Sequence, residues 1–156
     1  MIDQLQPVFA SFQKNDVRYL VIGGIAAVLY GVPRATFDLA ILIEATKENA
    51  QKLLNALFDI GFGTAQMTSA DEIIDKEITI FTDRIRLDVQ TSTLGIRFED
   101  AWRRRTIMTY EGQDFDVVSF ADLIQSKTSA GREVDLEDVR ILTSEEKQFD
   151  SEDRSA

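Results

Sequence analysis

The chain contains no cysteine and no histidine in its 156 residues. Without cysteine there is no disulfide framework, no thiolate nucleophile and no thiolate zinc site. Without histidine, Ser-His-Asp triads, imidazole general bases and His-ligated zinc or iron are excluded. Any catalysis must come from carboxylates, Lys, Arg, Tyr or hydroxyls, or from a hard metal held by carboxylates. Long apolar runs are also missing: Tyr19–Tyr30 and Leu39–Ile43 are too short to span a bilayer. No signal-peptide pattern opens the chain, so the expectation is a cytoplasmic protein with no membrane partner. Positive charge is scarce as well, with 17 Lys+Arg against 27 Asp+Glu and a net charge of −10. A field of that sign repels phosphate backbones, so bulk nucleic-acid binding is not expected, although a local basic pocket is still allowed.

What is present suits one soluble domain: 44% hydrophobic and 28% charged residues, the proportions of a chain that buries a single core. Ile2, Leu5, Val8, Phe9 and Phe12 recur at helical spacing, which predicts an amphipathic helix from Ile2 to about Gln13. Tyr19-Leu20-Val21-Ile22 reads as a buried strand, broken by Gly23-Gly24 and followed by a short apolar helix, Ile25–Tyr30. Gly31–Arg34 is a loop, and Asp38–Ile43 is a second buried strand. Thr46 can cap a helix running to about Ile60. Ser69 and Glu72 fit a capping box for a helix over Ala70–Lys76.

Two hairpins are expected, Glu77–Phe81 with Arg84–Thr91 and Thr106–Tyr110 with Gln113–Val118. Between them Phe98–Arg104 reads as a helix. Ser119 and Asp122 resemble another capping box, for a helix to about Ser129, and Asp135–Leu142 makes the last helix. From Ser144 onward the sequence is polar and nearly free of apolar anchors. The domain is therefore expected over 1–143, with a frayed acidic tail over 144–156. The fold class is α/β, a mixed sheet flanked by helices in a single domain. A regular βαβ alternation is absent, Gly23-Gly24 lacks GxGxxG spacing, and there is no P-loop.

Side chains alternate across a strand. Asp38, Ala40 and Leu42 therefore share one face, and Arg86, Asp88 and Gln90 share another, each opposite an apolar face. Asp38 and Asp88 sit at the edge of a core, where a carboxylate needs a partner or a metal. For Asp88 that partner can be Arg86, two residues away on the same face. Gly23-Gly24 lets a phosphate approach the backbone closely, but alone it is as well explained by a tight turn.

The combination is more specific. The run YLVIGGIAAVLYGVPRATFDLAILIE, followed by RIRLDVQT, resembles the nucleotidyltransferase superfamily, and most of all its minimal, AbiEii-like branch with its toxin and antitoxin relatives. That pattern is an apolar strand ending in Gly-Gly, then T-x-D-x-D, then a third acidic residue on a later strand. It covers Tyr19–Glu44 closely and extends more loosely through Asp88 to the KTSAGREVDLEDVRIL segment. The resemblance implies a nucleoside triphosphate bound at the sheet edge with two magnesium ions, and transfer of a nucleotidyl group to a hydroxyl of a protein, an RNA or a small molecule. Carried onto this sequence, Asp38 and Asp88 become the catalytic and metal-binding residues. Gly23, Gly24, Arg34, Thr36, Lys127 and Arg132 become the nucleotide-binding residues.

One position departs. The pattern calls for FDLDIL and the chain reads FDLAIL, so Ala40 stands where the second metal-binding aspartate would be. A methyl group cannot ligate magnesium, and metal-dependent transfer is expected to fall by orders of magnitude. Either the alanine was introduced to silence the site, or it is natural and the chain keeps the fold for binding. The competing expectation is accordingly a non-catalytic nucleotide-binding or antitoxin-like module with a protein partner. Arg103-Arg104-Arg105 reads as a solvated helix end and Trp102 as core. Asp135, Glu137 and Asp138 read as favourable charges in a first helical turn.

Overall fold

A computed structural model describes the backbone of residues 2–155 and the side chains of residues 2–144. The elements follow the sequence pattern closely. Helix α1 spans Ile2–Lys14, strand β1 Tyr19–Ile22, α2 Gly23–Leu29, β2 Asp38–Ile43 and α3 Lys47–Asp59. Then come a 3-10 turn over Gly63–Met67, α4 Ala70–Ile74, β3 Ile78–Thr82 and β4 Arg86–Gln90. The chain continues through α5 Phe98–Arg103, β5 Thr106–Tyr110, β6 Gln113–Val117, α6 Phe120–Ala130 and α7 Glu133–Ser155.

The expected caps form. Thr46, Ser69 and Ser119 accept hydrogen bonds from the backbone N–H groups of Asn49, Glu72 and Asp122, each satisfying an orphan donor of a first helical turn. Some boundaries differ. Helix α2 begins at Gly23, not Ile25, because the chain turns at the first glycine. The first hairpin turns over 83–85, since Thr82 pairs with Arg86. Helix α7 runs well beyond Leu142. Apart from Ser144, the side chains of the expected polar tail lie outside the described residues.

The strands form one six-stranded mixed sheet in the order β3-β4-β2-β1-β6-β5. Antiparallel pairs are β3–β4, β1–β2 and β5–β6, while β2–β4 and β1–β6 run parallel. On one face Leu39, Ile41, Ile43, Leu87 and Val89 join a buried cluster with Phe9 and Phe12 of α1 and Leu53 and Leu57 of α3. Phe9 stacks on Phe115 of β6 at 4.5 Å between ring centroids, which seats α1 on the sheet. Burial of each such side chain stabilises the fold by about 1.5–3 kcal/mol. The opposite face of β2 and β4 carries Asp38, Ala40, Arg86 and Asp88. No described helix is long and apolar enough to cross a membrane.

Candidate functional site

The site starts from the turn after β1. Gly23 has φ +70, a conformation that costs a side chain about 1–2 kcal/mol. A Cβ there would also meet the Ala40 Cβ at 3.4 Å. A Cβ on Gly24 would meet Thr36 Oγ1 at 3.3 Å and Arg34 Nη2 at 3.7 Å. Gly23 and Ala40, and Gly24, Arg34 and Thr36, are thus brought close together around the turn.

The β2–β4 register brings in the carboxylates. Asp38 lies opposite Arg86, and Ala40 lies opposite Asp88. On its other side Ala40 faces Ile22, the residue before the glycine turn. Neighbouring strands are about 4.8 Å apart, so a carboxylate at position 40 would stand beside both Asp38 and Asp88. As the chain is, Asp38 is exposed, and Asp88 is held: Arg86 Nε donates to its Oδ1 at 2.9 Å. That hydrogen bond, and then the charges of Asp88 and Asp38, raise the pKa of the Arg86 guanidinium.

The residues do not fit the two magnesium ions that the resemblance implies. The donor set is two carboxylates, one of them already engaged by a guanidinium. Among the described residues no group of three acidic side chains is placed to hold a metal ion.

Arg34, Lys127 and Arg132 converge on two aspartates of α7. Arg34 donates through both terminal nitrogens to Asp138, at 2.9 and 2.8 Å. Lys127 Nζ lies 2.9 Å from Asp138 Oδ2 and 3.5 Å from Asp135 Oδ1. Arg132 donates to Asp135 at 2.7 and 3.1 Å. Asp138 is 0% exposed and Lys127 5%, so this network is built into the fold, not laid on its surface. Burial raises the Asp135 pKa, but the Arg132 hydrogen bond and the charges of Arg132 and Lys127 outweigh it, and the net direction is down.

Several expectations need amending. Lys127, expected among the nucleotide-binding residues, is buried in ion pairs with Asp138 and Asp135. Asp138 lies beyond the first turn of α7 and acts as a hub, which its spacing in the sequence did not disclose. The arginine run is not a simple solvated helix end, because Arg104 pairs with Asp122 and Arg105 with Asp116. Trp102 is only partly buried, and the guanidinium groups of Arg105 and Arg18 lie over its ring at 3.9 and 4.8 Å from the centroid. These surround a cavity of about 390 Å³ at the start of β1, the opposite end of that strand from the glycine turn.

Comparison with known proteins identifies a family and a similar fold. A family model described as nucleotidyltransferase of unknown function, DUF6036, matches residues 3–145. The crystal structure of a candidate nucleotidyltransferase from Thermotoga maritima is similar in fold, with a TM-score of 0.58 at 16% sequence identity. The match covers 92% of this chain and 92% of that one. No curated protein matches the chain in sequence. The chain has a nucleotidyltransferase-like fold, and it belongs to the DUF6036 family of nucleotidyltransferases.

Proposed function

We propose that the chain binds a nucleoside triphosphate over the Gly23–Gly24 turn, and that metal-dependent transfer to a hydroxyl acceptor is impaired in it by Ala40. The observation that carries this reading is the β2–β4 register, which sets Ala40 opposite Asp88 and two residues from Asp38. An aspartate there would complete three adjacent carboxylates; the methyl group leaves two. Around that gap the pattern of the minimal, AbiEii-like branch is otherwise kept, with Gly23, Gly24, Thr36, Asp38 and Asp88 on one side of the sheet end. Thr36 supplies a hydroxyl beside Gly24, and Arg34 a guanidinium held in place by Asp138. The acceptor, whether protein, RNA or small molecule, approaches over the open face of β2 and β4 in this reading.

Calorimetric titration of Mg·ATP and Mg·GTP into the chain and into Ala40→Asp tests it. The aspartate variant should bind at least about tenfold more tightly, a difference of about 1.4 kcal/mol. Equal affinities would remove Ala40 as the cause of impairment.

A second reading is a non-catalytic interaction module of the antitoxin kind. It is favoured by the ion pairing of Arg34, Lys127, Arg132 and Arg86, which leaves each cation near the site already partnered. It requires a stable complex with a protein partner and no nucleotide affinity in either form of the chain. Nucleotide binding by the native chain decides against it.

A further inference from the structure

The site is short of a carboxylate, but it already holds a cation. Arg86 lies on the same face of β4 as Asp88, and the register sets it opposite Asp38. Only its Nε is engaged among the described residues, by Asp88 Oδ1 at 2.9 Å. The side chain is 47% exposed, so it is accessible to a ligand arriving from solvent. A guanidinium presents its N–H donors in a planar fork that matches a phosphate, and it keeps its charge at any working pH. Arg34 and Thr36 stand beside Gly24, at the end of β1. Strands β1, β2 and β4 are consecutive in the sheet, so two strand spacings, about 10 Å, separate that corner from Arg86. A polyphosphate chain can bridge such a gap.

On the reading above, that this site binds a nucleotide, we propose that Arg86 is its resident cation and takes the phosphates directly, so that binding requires no divalent ion. A magnesium ion placed between Asp38 and Asp88 would sit against the guanidinium already paired with Asp88, with no third carboxylate to offset the repulsion. The ligand class is therefore a metal-free nucleoside triphosphate, held by Arg86 at one end of its phosphate chain and by the Gly23–Gly24 turn with Thr36 at the other.

The test is calorimetric titration of ATP into the native chain, Arg86→Gln, Arg86→Lys and Ala40→Asp, each in EDTA and in excess magnesium. For the native chain the two dissociation constants should agree within about threefold. Arg86→Gln should weaken binding in EDTA by about tenfold or more, the loss of a charge-assisted contact. The remaining binding by that variant should become magnesium-dependent, because Asp38 and Asp88 then have no internal counter-ion. Arg86→Lys, which keeps the charge and loses the fork, should fall between. Arg86 is half exposed, so thermal melts of these variants should stay close to native and certify the fold. Native binding seen only with magnesium would overturn the proposal and leave the nucleotide reading standing. Unchanged affinity of Arg86→Gln in EDTA would also overturn it. No binding by the native chain or by Ala40→Asp in either buffer would remove the nucleotide reading and this proposal together.

Discussion

Replacing Asp138 by asparagine should cost more stability than any surface substitution in the chain. The carboxylate is fully buried and joins three elements: Arg34 from the α2–β2 loop, Lys127 from α6 and α7 itself. The asparagine fills the same volume and can still accept a hydrogen bond, so packing changes little. What changes is the charge facing Lys127, whose side chain is 6% exposed. Its remaining carboxylate, Asp135, is 3.5 Å away and already shared with Arg132. Breaking one partner of a buried pair costs about 3–5 kcal/mol, because the other charge is left without compensation in a poor solvent. For a chain of this size each kcal/mol lowers the melting temperature by about 2–4 °C, so the expected drop is about 6–20 °C. Urea unfolding gives the free energy, and an unchanged m-value certifies that the same surface is exposed. Lys127→Met together with Asp138→Leu should recover only part of the loss, since Arg34 is still left without its carboxylate. A stability within about 0.5 kcal/mol of native for Asp138→Asn would refute the reasoning. It would mean that water reaches Lys127 and that the network does not hold α7 to the site.

Gly23→Ala should destabilise by about 1–2 kcal/mol, since a Cβ is strained at φ +70 and meets Ala40 at 3.4 Å; urea unfolding measures it, and a neutral effect would show that the turn relaxes freely. All three tyrosines should ionise late. Burial raises Tyr19 and Tyr30, and the hydrogen bond to Asp3 raises Tyr110 to about 12. Since the folded values lie above the unfolded value of about 10, this contribution to stability is complete below pH ~10 and is lost as pH rises through the folded values. Phenolate absorbance in a pH titration should therefore lag that of the unfolded chain, and superposable curves would contradict the assigned contacts.

Local rules account for what the sequence disclosed. Period-2 alternation placed Asp38 with Ala40 and Arg86 with Asp88 on shared faces, and the structure has those faces. Thr46, Ser69 and Ser119 were legible as caps because capping depends on residues three positions apart. Arg86 as the partner of Asp88 was legible for the same reason, being two residues away on one strand. The Asp138 hub was not, because Arg34 is 104 positions away and no pattern in the chain couples the two. The contact of Trp102 with Arg18 is likewise a product of tertiary packing, and an aromatic beside a basic run carries no sign of it. The 3-10 turn over Gly63–Met67 has too few residues for periodicity to report it. The length of α7 escaped because its apolar spacing fades after Leu142, while its backbone continues helical to Ser155.

The central claim is that Ala40 leaves the carboxylates at the sheet end unable to hold a divalent cation. Titration of Mn²⁺ followed by its paramagnetic resonance signal, into the native chain and Ala40→Asp with no nucleotide present, addresses that claim alone. The aspartate variant should take up Mn²⁺ at concentrations where the native chain leaves it free, with affinities differing by about tenfold or more. Equal uptake by the two chains, abolished by Asp38→Asn in both, would show that the native residues already make a metal site and would contradict it.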